Sequence, residues 1–379
     1  MPTLQTLETP CLLLDEARMS ANLARLRERL RGTNVAFRPH LKTVKSLDVA
    51  RRVLPTPHGP ATVSTLREAE VLAAAGVTDL LYAVGIAPSK LARVLALRAQ
   101  GIDLALLLDS PAQARAVAAA GTAADPVPVL LEIDCDGHRA GLQPGDAAAL
   151  LAVARQLAPG GVVRGVLTHA GGSYAARGAA ALAAAARQEH AAVRQAAATL
   201  RAAGFPCPVV SVGSTPTAFF APGFEGITEL RAGVYVFFDL VQAGLGVCAF
   251  EDIALSVLTT VIGHQADKGW AVVDAGWMAL SRDRGTASQA VDQGYGVVCD
   301  LAGRPLGELL VTEANQEHGI VAQRPGASAG GLPPLPVGTR LRILPNHACA
   351  TAAQHHGYHV LATGTDAAVT AFWPRFGGW

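Results

Sequence analysis

Between Val35 and Val236 short apolar runs alternate with helical patterns eight times, and no other feature of the chain limits its possible folds so strongly. The runs fall near 35–38, 61–64, 79–84, 102–108, 127–133, 162–169, 208–213 and 228–236. Patterns with apolar residues three and four apart fill the gaps, near 44–54, 65–75, 88–100, 110–120, 146–158 and 177–203, with a short one after Thr215. Continuous apolar runs suit strands covered on both faces, and an intervening helix is the usual crossover between parallel strands. Eight such units over about 200 residues predict a closed (β/α)8 TIM barrel, with an open doubly wound sheet as the competitor, because spacing alone does not show closure. A strand at 11–15 and a helix at 15–31, with Met19, Leu23, Leu26 and Leu30 at helical spacing, precede the first unit.

After Asp239 the texture changes. Val-rich and Thr-rich runs at 254–262, 270–274, 296–299, 309–313, 340–343 and 358–362 are separated by Gly and Pro turns with no long helical pattern, which predicts a C-terminal all-β domain. The expected division is residues 1–15 as a strand joining the β-domain, 16–245 as the barrel and 246–379 as the β-domain, with 324–336 as a Gly, Pro and Ser-rich surface loop. Half of the 379 residues are hydrophobic, but much of this is alanine at 147–154 and 175–186, so it is a helix signal rather than a membrane one. The longest apolar candidate, 232–250, is interrupted by Asp239, Gln242 and glycines. A net charge of +1 gives no reason to expect nucleic acid, and no secretory leader is visible. Six cysteines without C-x-x-C pairs suit reduced thiols, so a cytoplasmic protein with neither membrane nor nucleic-acid partner is expected.

A barrel keeps its chemistry at the C-terminal strand ends, with phosphate sites common after strands seven and eight. Arg38-Pro39-His40-Leu41-Lys42-Thr43 closes the first expected strand, and alternation puts Arg38, His40 and Lys42 on one face. Crowded cations lower one another's pKa, which makes an amine a usable nucleophile for an aldehyde; the alternative is a basic helix start near Val44 that merely solvates. His169 ends the sixth strand, Gly213-Ser214-Thr215 follows the seventh, and the eighth carries Gly233-Val234-Tyr235. Glycine lets backbone approach a phosphate and hydroxyls add donors, although Gly-Ser-Thr alone is usually a turn. In Pro345-Asn346-His347-Ala348-Cys349, placement on a strand turns imidazole and thiol the same way, so they can share one cation; as ordinary packing residues they would bind none.

Thr9-Pro10, Leu12-Leu13-Leu14-Asp15, the helix carrying Asn22 and the Arg38-to-Thr43 motif together resemble the opening of the D-threonine aldolase and D-serine dehydratase family, and the similarity runs to the last residues. The resemblance implies an alanine-racemase-like, fold-type III enzyme whose pyridoxal 5′-phosphate is carried by Lys42. It implies that His40, His169, Gly213, Ser214, Thr215, Gly233, Val234 and Tyr235 surround the cofactor, with Arg139 toward its phenolic oxygen and Tyr174 close to the pyridine nitrogen. A divalent metal (Zn, Mn, Co or Mg) is expected on His347 and Cys349, with Gln316-Glu317-His318-Gly319 supporting the site. The dehydratases resemble this His-x-Cys, whereas the aldolase branch tends to show His-x-Asp. The expected activity is therefore dehydration of a small D-3-hydroxyamino acid, D-serine or 3-hydroxyaspartate, to a 2-oxo acid and ammonia in a homodimer. Retro-aldol cleavage of D-threonine-like substrates is the alternative, and a non-catalytic cofactor carrier the weaker one.

Overall fold

Eight parallel strands, Ala36–Phe37, Ala61–Val63, Asp79–Gly85, Asp103–Leu108, Val127–Ile133, Gly161–Thr168, Val209–Val212 and Glu229–Leu230, form one sheet in the computed structural model, which describes residues 2–327, 332–363 and 368–379. The first strand pairs with the eighth through Ala36↔Glu229 and Phe37↔Leu230. The ring is completed on its other side by a parallel bridge between His40 and Thr62, with Leu41 N donating to Thr62 O at 2.9 Å and Thr62 N to Pro39 O at 2.8 Å. Every residue of Val127–Ile133 is buried, as a strand covered on both faces requires. Leu81, Ala105, Leu107, Leu130 and Leu167 form one apolar cluster across four neighbouring strands.

The crossover helices start where capping chemistry lets them. Thr65 accepts from Glu68 N ahead of Leu66–Ala74, Ser110 from Gln113 N ahead of Pro111–Ala120, and Asp146 from Ala149 N ahead of Ala147–Gln156. Two expectations shift. The helix expected from Val44 begins at Leu47, because Leu41 to Val44 make a tight turn first. The eighth strand stops at Leu230 and not near 236: Gly233 lies so close to the His40 carbonyl that a Cβ would sit 2.8 Å from it, and Val234–Val236 coils into a 3-10 turn.

The chain divides into two units, Arg29–Gly233 with Gly377–Trp379, and Met1–Glu28 with Val234–Phe376. In the second unit Leu255–Gln265, Trp270–Val273, Gly319–Gln323, Pro305–Ala314, Gly296–Cys299 and Arg340–Pro345 pair in that order and return to Leu255–Gln265, a closed antiparallel barrel. Cys11–Asp15 lies beside Leu255–Gln265 and also pairs in parallel with Gly357–Leu361, which pairs with Ala371–Pro374. Thr9 fixes this strand by donating its hydroxyl to Asp274 Oδ2 at 2.6 Å. Gly319–Gln323 and Ala371–Pro374 were not among the expected strands. The loop expected at 324–336 lies partly outside the described residues. Among the described residues all six cysteines are free and no helix is long and apolar enough to cross a membrane.

Candidate active site

Lys42 is exposed on the turn that follows the first barrel strand, while its neighbours Leu41 and Thr43 are buried and hold the turn in place. The expected row of three free cations is not what surrounds it. Arg38 is consumed by carboxylates, its Nε 2.6 Å from Glu229 Oε2 and its Nη1 2.6 Å from Asp79 Oδ1. His40 is neutral: burial first, then the charges of Lys42, Arg231 and Arg139, hold it well below its ordinary value, and among the described residues its buried Nδ1 has no hydrogen-bond partner. The positive field at this end of the barrel comes instead from Lys42, Arg139 and Arg231.

Arg231 gave no signal in the sequence reading. It is 5% exposed, donates through Nη1 to Ser211 Oγ at 2.7 Å and through Nη2 to Thr168 O at 2.6 Å, and burial lowers its pKa to about 10 while Glu229, Glu189 and Glu132 favour its charge. Ser211 in turn donates to Glu229 Oε1 at 2.6 Å, so a polar chain from Arg38 to Arg231 runs through the barrel's interior. Arg139 is exposed, with its Nη2 3.9 Å from Glu132 Oε1.

His169, at the end of the sixth strand, is pushed down to about 3, chiefly by burial and against the opposing effect of the hydrogen bond it donates to the Gly213 carbonyl. Its Nδ1 donates to Gly213 O at 2.5 Å, and the Tyr174 ring stands 6.4 Å away, tilted by 45°. Gly213 has to be glycine here, since a Cβ would lie 2.1 Å from Arg231 O. Ser214 is already engaged with Ser173 Oγ at 3.0 Å and Thr217 Oγ1 at 2.9 Å, capping the turn that follows. Thr215 Oγ1, by contrast, is buried with no partner among the described residues. A buried, unpartnered hydroxyl in a glycine-opened loop, at the barrel end that also carries Lys42 and Arg231, fits the phosphate of pyridoxal phosphate. Gly233 adjoins this set; Val234 and Tyr235 are buried residues of the other unit.

In the β-domain His347 and Cys349 are not on a strand as expected. The strand ends at Pro345, His347 caps the short helix Ala348–Ala352 in an extended conformation (φ −135°, ψ 112°), and Cys349 sits in its first turn. That extended cap redirects the imidazole, so the divergence expected of two helical residues does not arise and the Cys349 thiol hydrogen-bonds to His347. His347 Nδ1 is 2.6 Å from Asp283 Oδ2. Burial disfavours its charge, yet the hydrogen bonds of Asp283 and Cys349 prevail and raise its pKa well above the ordinary value; the same contact lowers Asp283. Asp239 fixes the motif from behind, accepting from Gln242 N and Ala348 N, both at 2.9 Å. Asn346 ties it to the loop bearing Asp283 by accepting from Thr286 N at 2.9 Å and donating to Gly294 O at 2.8 Å. Gln316 to Gly319 form the hairpin turn against which Gly276–Leu280 packs, with Trp277 N on Asn315 O and Met278 N on Gln316 O. No cluster of three or more His, Cys, Asp or Glu suited to a metal occurs among the described residues. An imidazole and a thiol meeting at one point still make two donors for a borderline divalent ion, with positions left open.

Residues 14–241 match the family model described as alanine racemase, N-terminal domain, and residues 254–361 match the one described as putative serine dehydratase domain. The chain is 56% identical to D-threo-3-hydroxyaspartate dehydratase of Delftia sp. strain HT23 over 100% of its own length and 99% of the relative's. It is 29% identical to D-serine dehydratase of Dictyostelium discoideum, covering 94% of each, and 30% identical to D-threonine aldolase of Arthrobacter sp., covering 95% and 91%. The solved Delftia dehydratase superposes with a TM-score of 0.95 at 54% identity and full coverage of both chains. That enzyme has also been solved as a histidine-to-alanine variant and, two positions further on, as a cysteine-to-alanine variant in the metal-free form.

Proposed function

Because the chain belongs to the D-serine dehydratase family of alanine-racemase-like, fold-type III enzymes, we propose that it is a pyridoxal-phosphate and divalent-metal-dependent lyase acting on D-3-hydroxyamino acids, 3-hydroxyaspartate first and D-serine second. The observation that carries this reading is the Asp283–His347–Cys349 arrangement, which presents two ligand atoms together in a chain otherwise matched end to end to a dehydratase. Lys42 would hold the cofactor, the Thr215 hydroxyl in the Gly213-Ser214-Thr215 loop its phosphate, Arg139 its phenolic oxygen, and Tyr174 would lie toward its pyridine nitrogen. His347 and Cys349 would hold the ion, for which Zn²⁺ is the best chemical match.

Bound pyridoxal phosphate supplies an electrophilic carbon and a sink for the electron pair left at Cα. Lys42 Nζ would serve as the base for the substrate's Cα proton. An ion held by His347 and Cys349 would supply Lewis acidity for departure of a hydroxyl group. Asp283 keeps His347 Nδ1 engaged and so reserves Nε2 for the ion. Neutral His40 and His169 add no further cation to a site already furnished with Lys42, Arg139 and Arg231. Overall the substrate loses water across Cα–Cβ, and hydrolysis of the released enamine gives the 2-oxo acid and ammonia. The same reading carries a homodimer, measurable by sedimentation velocity, and a cytoplasmic location.

A panel of D- and L-3-hydroxyamino acids assayed with and without chelator tests the proposal. Ammonia and oxaloacetate or pyruvate from D-substrates, lost with chelator and in Lys42→Ala, are expected. Glycine and an aldehyde from the same substrates would establish the retro-aldol alternative instead.

A further inference from the structure

Glu189 occupies the middle of the helix Gly178–Ala202, on the inward stripe that includes Leu182, Ala186, Val193 and Ala196, and it is fully buried. Burial raises its pKa, and the N–H groups of Gly213 and Ala170 together with the charge of Arg231 oppose that rise. A leucine would fill such a position without the cost of burying a carboxyl group. The carboxyl makes contacts a leucine could not. Its Oε1 accepts from Gly213 N at 2.9 Å and from Ala170 N at 3.3 Å, joining the segment after the sixth strand to the segment after the seventh. Gly213 is held from its other side as well, since its carbonyl accepts Nδ1–H of His169 at 2.5 Å. A carbonyl cannot donate, so the proton of this neutral imidazole lies on Nδ1 and Nε2 remains an acceptor.

We propose that Glu189 is a positioning residue for the reaction: it clamps the two loops that carry His169 and Gly213-Ser214-Thr215 into one frame and, through Gly213, keeps His169 in the Nδ1–H tautomer with Nε2 free to meet the cofactor. The proposal rests on the reading that these loops hold pyridoxal phosphate. What matters is an acceptor at Oε1, not a negative charge. Gln retains that acceptor, whereas Leu retains only the bulk.

The test uses the full chain labelled with ¹⁵N-histidine, with and without bound cofactor, and His169 signals are assigned against H169Q. Cofactor affinity is measured by equilibrium dialysis of pyridoxal 5′-phosphate for wild type, Glu189→Gln and Glu189→Leu. E189Q is expected to keep the Nδ1–H pattern and an affinity within about threefold of wild type. E189L should show mixed tautomers and lose roughly 10–100-fold, the usual scale for removing a residue that orients a ligand's neighbours. Unchanged His169 shifts and affinity in E189L would overturn the clamp, and so would a loss in E189Q as large as in E189L. Should E189L fail to fold, E189Q decides alone: retained tautomer and affinity support the proposal and their loss overturns it. If wild type binds no pyridoxal phosphate, the functional reading fails, while the ¹⁵N pattern of the cofactor-free chain still tests the clamp.

Discussion

Replacing Asp283 by asparagine keeps the shape of the residue that holds His347 but removes its charge. In the wild type the Asp283 carboxylate, 2.6 Å from Nδ1, stabilises the imidazolium. A metal ion must therefore displace a proton at any pH below the raised pKa of His347, so its apparent affinity should climb about tenfold, or ~1.4 kcal/mol, per pH unit through this group alone. A coordinated thiol gives up its proton too, and adds to the slope wherever Cys349 starts protonated. With asparagine the imidazole returns toward its ordinary value near 6.5, so above about pH 7 the His347 part of the slope disappears. The neutral ligand has then also lost the carboxylate that orients it, which costs about 10–100-fold in affinity at the alkaline end. The two curves consequently converge toward acid pH and separate toward alkaline pH. Titration of Zn²⁺ against a chromophoric chelator at pH 6, 7, 8 and 9 reads this directly. A parallel displacement of the whole curve, or none, would refute the assignment of Asp283 as the group that holds His347.

Arg38→Met should destabilise the barrel by about 3–5 kcal/mol in urea unfolding, because it strands Glu229, only 7% exposed, without its cation; Lys at this position should restore part of the loss. Thr215→Val should weaken pyridoxal phosphate binding by about 10–100-fold, the range for a hydrogen bond to a charged group, yet leave the cofactor-free chain as stable or slightly more so, since the hydroxyl has no partner among the described residues. His169 has a folded value near 3 against about 6.5 when unfolded. Between those values the unfolded chain binds a proton that the folded chain refuses, so stability is full above about pH 7 and falls as pH drops through this window; H169Q should flatten the slope of chemical denaturation against pH there.

The barrel was legible because its strands are continuous apolar runs and its helices open with caps such as Thr65 and Ser110. Local pattern failed where a distant contact decides. Arg38, His40 and Lys42 alternate as a strand would, but Glu229 and Asp79, far away in sequence, neutralise the first, and burial discharges the second. His347 and Cys349 were identifiable as a pair, whereas the capped turn that brings them together depends on Asp239, more than a hundred residues earlier in the chain. Asp283 and Arg231 carry no local mark. Glu189 does: a carboxylate seven residues after Leu182, three after Ala186 and four before Val193 stands where apolar side chains belong, and a charged residue on such a stripe marks a fixed polar contact within.

Cys11–Asp15 is made early by the ribosome but lies in a sheet between Leu255–Gln265 and Gly357–Leu361, both translated more than two hundred residues later. A fragment consisting of the C-terminal segment alone would leave the edge Leu255–Leu258 unpaired, a template for strand addition by another copy. Truncation of the first fifteen residues is accordingly a route to aggregation, and supplying them as a separate peptide should rescue solubility.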